Sequence, residues 1–196
     1  MNHLAHFHLA WPREQLVIGG LEGDFHRGAL PGSLNPGIAE GVALHRAIDA
    51  YTDRHELLAE ARGLFPEGTR RFAGIMMDLL FDHFLSLHWT RFSDVEHRHF
   101  CQEVYAILER GHSQLSAPAR RFAAWLAQHD ALMRYRHWEA VPASALRTGR
   151  RLSRDNPLSR AGDILQPLAP ELEQVFLVFY PELIGFCASN AKLASR

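Results

Sequence analysis

The stretch "IMMDLLFDHFLSLHW", residues 75–89, constrains the fold most. It is apolar nearly all the way round a helical projection, so a helix made of it must be buried on most sides. Yet Asp78 and Asp82 interrupt it four residues apart on one face, with His83 about 100° further round. An ionised carboxylate in apolar surroundings is costly unless it is paired or coordinated. Two on one stripe also raise each other's pKa. Whatever this chain folds into must relieve that stripe. A metal ion would do so, and so would arginines such as Arg46, Arg70 or Arg71.

A second helix supplies complementary donors. In "HRAIDAYTD", residues 45–53, Asp49 lies about 40° and Thr52 about −20° from His45, with Asp53 near 80°. His45 and Asp49 can therefore offer a nitrogen and an oxygen to one ion, while the alternative is a salt-bridged surface helix. Two carboxylates facing a histidine-bearing helix are a familiar metal arrangement in helical bundles. The opening "HLAHFHLA" adds His3, His6 and His8. His3 and His6 share a face if this segment is helical, and His6 and His8 do so if it is extended. Asp24, flanked by glycine, can swing toward the same site or bond its own backbone in a turn. A nitrogen and carboxylate set without thiolate excludes soft-metal sites and favours Mn²⁺, Mg²⁺, Fe²⁺ or Zn²⁺. Such a centre polarises phosphoryl oxygens and activates water.

The rest of the chain reads as one all-α domain over residues 1–196, since no period-two alternation appears. Residues 18–37 read as a Gly- and Pro-rich loop. Helices are expected from about Asn35-Pro36 to His55, Gly68 to Trp89, Asp94 to Gly111 and Ala117 to Trp138. A shorter one opens at Pro142. The last opens at Pro170 and should kink at Pro181. A net charge of −1 implies no nucleic-acid partner. Two distant cysteines, no signal peptide and no uninterrupted apolar run of membrane-spanning length point to the cytoplasm and to no membrane. Of 21 basic residues only Lys192 is a lysine. A GC-rich genome or phosphate recognition would each give that bias. "RTGRRLSR" places Arg147, Arg150, Arg151 and Arg154 on one short helix or helix end. It is either a solvated basic face or a docking patch for phosphate or an acidic partner.

Taken together, "MNHLAHFHLA", "GDFHRG" at 23–28, "GVALHRAIDAYTD" at 41–53, "TRRFAGIMMDLLFDHFLSLHW" at 69–89 and "FYPEL" resemble the bacterial acyl carrier protein phosphodiesterase family. The resemblance implies an all-helical fold distantly like the HD-type metal-dependent phosphohydrolases. It implies hydrolysis of the phosphodiester that joins 4′-phosphopantetheine to a serine of acyl carrier protein, with Mn²⁺ as cofactor. Carried onto matching positions, the ligands would be Asp24, His45, Asp49, Asp78 and Asp82. Arg46 would stabilise charge on the phosphorus, and His6 or His83 would protonate the leaving oxygen. The family pattern usually has an apolar residue at His3, which is therefore not expected to be catalytic. Acyl carrier protein is acidic, so Arg147–Arg154 would be its docking surface. Two other readings stay open: an HD-like phosphohydrolase acting on a nucleotide, and a non-enzymatic helical module that binds metal or a partner.

Overall fold

A computed structural model describes residues 1–152 and 155–194, with the side chains of 190–194 left aside. Among the described residues there are helices and no strand. The α-helices are α1 (His3–Ala10), α2 (Glu14–Glu22), α3 (Pro36–Arg54), α4 (Glu56–Ala61), α5 (Ala73–Leu87), α6 (His97–Arg110), α7 (Ala117–Gln128), α8 (Ala131–Arg134), α9 (Ala140–Gly149), α10 (Ala161–Leu165) and α11 (Ala169–Ala194).

The apolar stretch behaves as its composition requires. α5 runs through the core and packs against α1, α9, α10 and α11. Met76, Leu80 and Leu85 are fully buried, each worth about 1.5–3 kcal/mol relative to exposure. α11 covers α5 and also α3 and α4. Residues 169–189 are long and apolar enough, by length and composition, to cross a membrane. Glu171, Glu173 and Glu182 interrupt this segment, so it is not an uninterrupted apolar run. Its Leu172, Phe176, Phe179, Tyr180 and Leu183 are buried in the core.

α3 starts where the sequence says it should. Pro36 occupies its first turn, and the Asn35 side chain accepts a hydrogen bond from the Gly37 amide at 2.9 Å. Three other expectations fail. The supposed loop 18–37 begins as the second half of α2, because Leu16, Val17, Ile18 and Leu21 bury against the core despite the glycines. Those glycines serve packing. A Cβ on Gly19 would lie 2.3 Å from the Ile38 carbonyl, and one on Gly41 would lie 2.7 Å from that of Leu16. α2 and α3 therefore touch backbone to backbone. The helix expected over 117–138 breaks at Asp130, whose φ of 45° is left-handed. The helix expected from Gly68 begins regularly only at Ala73, after a short 3₁₀ turn over Arg70–Phe72.

Candidate active site

α1, α3 and α5 meet at their polar faces, and the segment after α2 closes the cluster. The centre is Asp49 on α3. Nε2 of His6, from α1, lies 3.1 Å from Asp49 Oδ1, and Nε2 of His45 lies 3.2 Å from Oδ2. The two imidazoles stack with centroids 4.0 Å apart. Gly23 makes the room, since a Cβ there would lie 2.4 Å from the His45 ring. Asp24 stands at the edge of the cluster, 3.3 Å from His3 Nδ1 and 3.9 Å from His45 Nε2.

Electrostatics follow from that geometry. Burial alone would raise the Asp49 carboxyl, but hydrogen bonds from His45 and His6 hold it well below the usual carboxylate range. Burial pushes the His6 imidazole down to about 4, against the pull of Asp49. For His3 burial acts downward too, but Asp24 outweighs it and the imidazole is raised.

One donor atom each from His6, His45 and Asp49 lies within 4.8 Å of the others, an arrangement that could hold a metal ion. The donor set suits a hard or borderline divalent cation. The Nδ1 atoms of both histidines are buried without a partner. Each ring is therefore held through Nε2 alone, His45 by Asp49 and His6 by Asp49 and by the Met1 carbonyl 3.1 Å away.

The two aspartates of α5 make different contacts. Asp82 is fully buried and accepts hydrogen bonds from the Leu4 and Ala5 amides at 2.9 and 3.1 Å. α1 has no side-chain cap of its own, so Asp82 caps it from a neighbouring helix. Burial still lifts this carboxyl to about 6, against those two amides. Asp78 lies 3.1 Å from the Met1 α-ammonium, which is also 3.6 Å from Asp49. The cation set against Asp78 is that ammonium rather than Arg46, Arg70 or Arg71, and burial still raises the Asp78 carboxyl against its pull. Arg46 donates to the His26 carbonyl at 3.1 Å, and Arg70 to the carbonyls of Phe65 and Gly63. His83 places Nδ1 2.6 Å from the Tyr135 carbonyl and its ring edge-on to Trp138, while His6 stands inside the cluster.

The basic run divides. Arg147 and Arg151 line a cavity together with His3, whereas Arg150 is exposed at the end of α9 and Arg154 lies outside the described residues. His3 was set aside at the sequence level. The signal for its place was the helical alternative for residues 3–10, which puts it on the face of His6.

The chain is an all-helical protein that gathers His6, His45 and Asp49, without thiolate, into a cluster that could hold a metal ion. It belongs to the acyl carrier protein phosphodiesterase family, whose model matches residues 1–183. Proteins named acyl carrier protein phosphodiesterase are similar to it along nearly their whole length. That of Yersinia enterocolitica is 38% identical, over 94% of this chain and 96% of its own. That of Salmonella agona is 33% identical, over 97% and 100%. That of Photorhabdus laumondii is 30% identical, over 94% and 93%. No solved structure matches.

Proposed function

We propose that this protein hydrolyses the phosphodiester of holo-acyl carrier protein, releasing 4′-phosphopantetheine and the apo-protein, with Mn²⁺ (or Mg²⁺ or Fe²⁺) held at the cluster. The observation that carries this reading is the convergence of His6, His45 and Asp49 in a chain of this family. An ion bound there would supply electrophilic polarisation of a phosphoryl oxygen and of water.

The chain's own residues do the rest. Asp49 orients both imidazoles. Asp24 is available at the open edge. Asp78 and Asp82 are further candidate ligands whose present partners, an ammonium and two amides, would have to be exchanged. Arg46 braces the Asp24 segment through the His26 carbonyl. His6 and His83 are the candidates for protonating the leaving serine oxygen; His6 belongs to the ligand set proposed for the ion and His83 has Nδ1 engaged by the Tyr135 carbonyl, so neither is free for that role as placed.

The acidic substrate protein would dock on the basic end of α9, where Arg150 is exposed beside the exposed Leu146 and Leu152. Such a reaction belongs to the cytoplasm and needs neither membrane nor nucleic acid.

The test is a mass measurement on holo-acyl carrier protein incubated with the protein and Mn²⁺. Loss of the prosthetic-group mass is expected. Intact holo-protein beside turnover of free nucleotides would favour a nucleotide phosphohydrolase. Metal binding without turnover of either would leave a binding module.

A further inference from the structure

A groove leads away from the cluster, and its floor is a ladder of rings. The His3 ring lies 4.7 Å from that of Phe122. Phe122 stacks on Trp125 at 5.7 Å, and Trp125 stacks on His129 at 5.0 Å. The last three stand on one face of α7 and just past its end, so they extend over about 10 Å. Two cavities lie along this floor. One, of about 60 Å³, begins at Asn2 and His3 and is bounded by Arg147 and Arg151. The other, of about 330 Å³, continues past Arg134 and His137. Trp125, Ala131, Ser144 and Arg147 line both.

The groove is cationic where Arg147 packs on the ladder itself, and that arginine is held in place. The Arg147 guanidinium stands 4.8 Å above the Trp125 ring and donates to Ser144 Oγ at 2.7 Å. Tyr135 donates to that same oxygen at 3.2 Å and accepts from Asn2 at 2.7 Å. A chain of hydrogen bonds thus ties Arg147 to the residue before His3. Arg151 is near enough to His3 to act on its charge. Asp24, Asp49 and Asp78 give the cluster negative charge, so a phosphate brought beside it needs positive partners besides the ion. Among the described residues, Arg147 and Arg151 are the arginines that line the cavity reaching His3.

We infer that the groove between α7 and α9 binds the 4′-phosphopantetheine arm, with Arg147 and Arg151 gripping the phosphate beside His3 and the arm lying on Phe122, Trp125 and His129. The inference rests on the proposed reaction and names the subsite that this reaction would use. Guanidinium forks match phosphate oxygens. The rings offer an apolar bed for the branched carbon skeleton of the arm, and Ser144 and Thr148 offer hydrogen bonds to its amides. Arg150 is outside both cavities and is left to the protein partner.

Calorimetric titration of the full-length protein with 4′-phosphopantetheine, and separately with dephosphorylated pantetheine, tests this. Arg147→Gln with Arg151→Gln should weaken the phosphorylated ligand by about 10- to 100-fold, the size of lost charge-assisted hydrogen bonds. It should leave pantetheine unchanged. Trp125→Ala should weaken both ligands, and circular dichroism should show each variant folded. Wild-type affinity for 4′-phosphopantetheine in the double variant overturns the groove. So does a double variant that loses affinity only for apo-acyl carrier protein, which would make both arginines docking residues. The reaction is judged separately by cleavage of holo-acyl carrier protein. A wild-type protein that binds the arm through these arginines but leaves the holo-protein intact overturns the reaction and not the subsite.

Discussion

The two ends of α1 both bury histidines, and they do opposite things with them. At one end, His3 and His6 are paired with Asp24 and Asp49. At the other, His8 sits between the Tyr180 hydroxyl and the Phe92 carbonyl, 2.8 and 3.1 Å away. Nearby, His97 stacks on Trp89 at 4.4 Å with neither ring nitrogen partnered. No carboxylate faces the His8 ring in hydrogen-bonding range among the described residues, and burial takes both His8 and His97 down to about 4. A high local density of histidines therefore does not mark a site. The carboxylates decide which end can hold a cation, and they come from α3, from α5 and from the turn after α2.

The largest expected effect breaks that contrast at its centre. Asp49→Asn keeps the shape but removes the charge to which both imidazoles point. Turnover should fall roughly a thousandfold or more, about 4 kcal/mol of transition-state stabilisation, with the helical signal intact and Mn²⁺ affinity lost. Removing His97, at the other end, should leave turnover per folded molecule unchanged. Asp49→Asn with wild-type turnover would remove this carboxylate from the site, however well placed.

Much of this was legible in the residues. The apolar run of α5 demanded burial, and the four-residue spacing of His45 and Asp49 demanded a shared face. Both follow from helical periodicity alone. The partners of Asp78 and Asp82 were not legible, because they come from the backbone of α1 and from an ammonium, and neither has a side-chain signature. α2 was missed because Gly19, Gly20 and Gly23 resemble loop residues, whereas two of them stand where helices or a ring pass within contact distance. The ladder of Phe122, Trp125 and His129 reads as ordinary amphipathic spacing until His3 is found at its end.

A middle-sized effect sharpens the comparison within the cluster. Asp82→Ala leaves the first amides of α1 buried without an acceptor, which should cost about 1–3 kcal/mol. For a chain of this size that is a Tm lower by roughly 2–4 °C per kcal/mol. The removed cost of a buried charge acts the other way, so the sign is itself informative. A lower Tm with Mn²⁺ affinity retained marks Asp82 as the cap of α1. An unchanged Tm with Mn²⁺ affinity lost marks it as a ligand.

The smallest effect is read from pH, at the His8 end of α1. His97 packs on Trp89 and is faced by Arg136, Arg98, Glu96 and His8; burial dominates and lowers its imidazole from 6.5 to about 4. As pH falls below 6.5 the unfolded chain takes up a proton that the folded chain refuses until about 4. The stability from a neutral His97 is thus fully present above pH 6.5 and is lost as pH falls toward 4, with a slope of at most about 1.4 kcal/mol per pH unit. His8 adds a second contribution of the same sign. His97→Phe keeps a ring against Trp89 and removes one titration. Denaturant unfolding at several pH values should then show the variant losing stability less steeply than the wild type between pH 6.5 and 4. The two curves should run parallel above that window. Equal slopes inside the window would mean that His97 gains a proton in the folded chain as readily as in the unfolded one, and the contrast between the two ends of α1 would no longer hold for this residue.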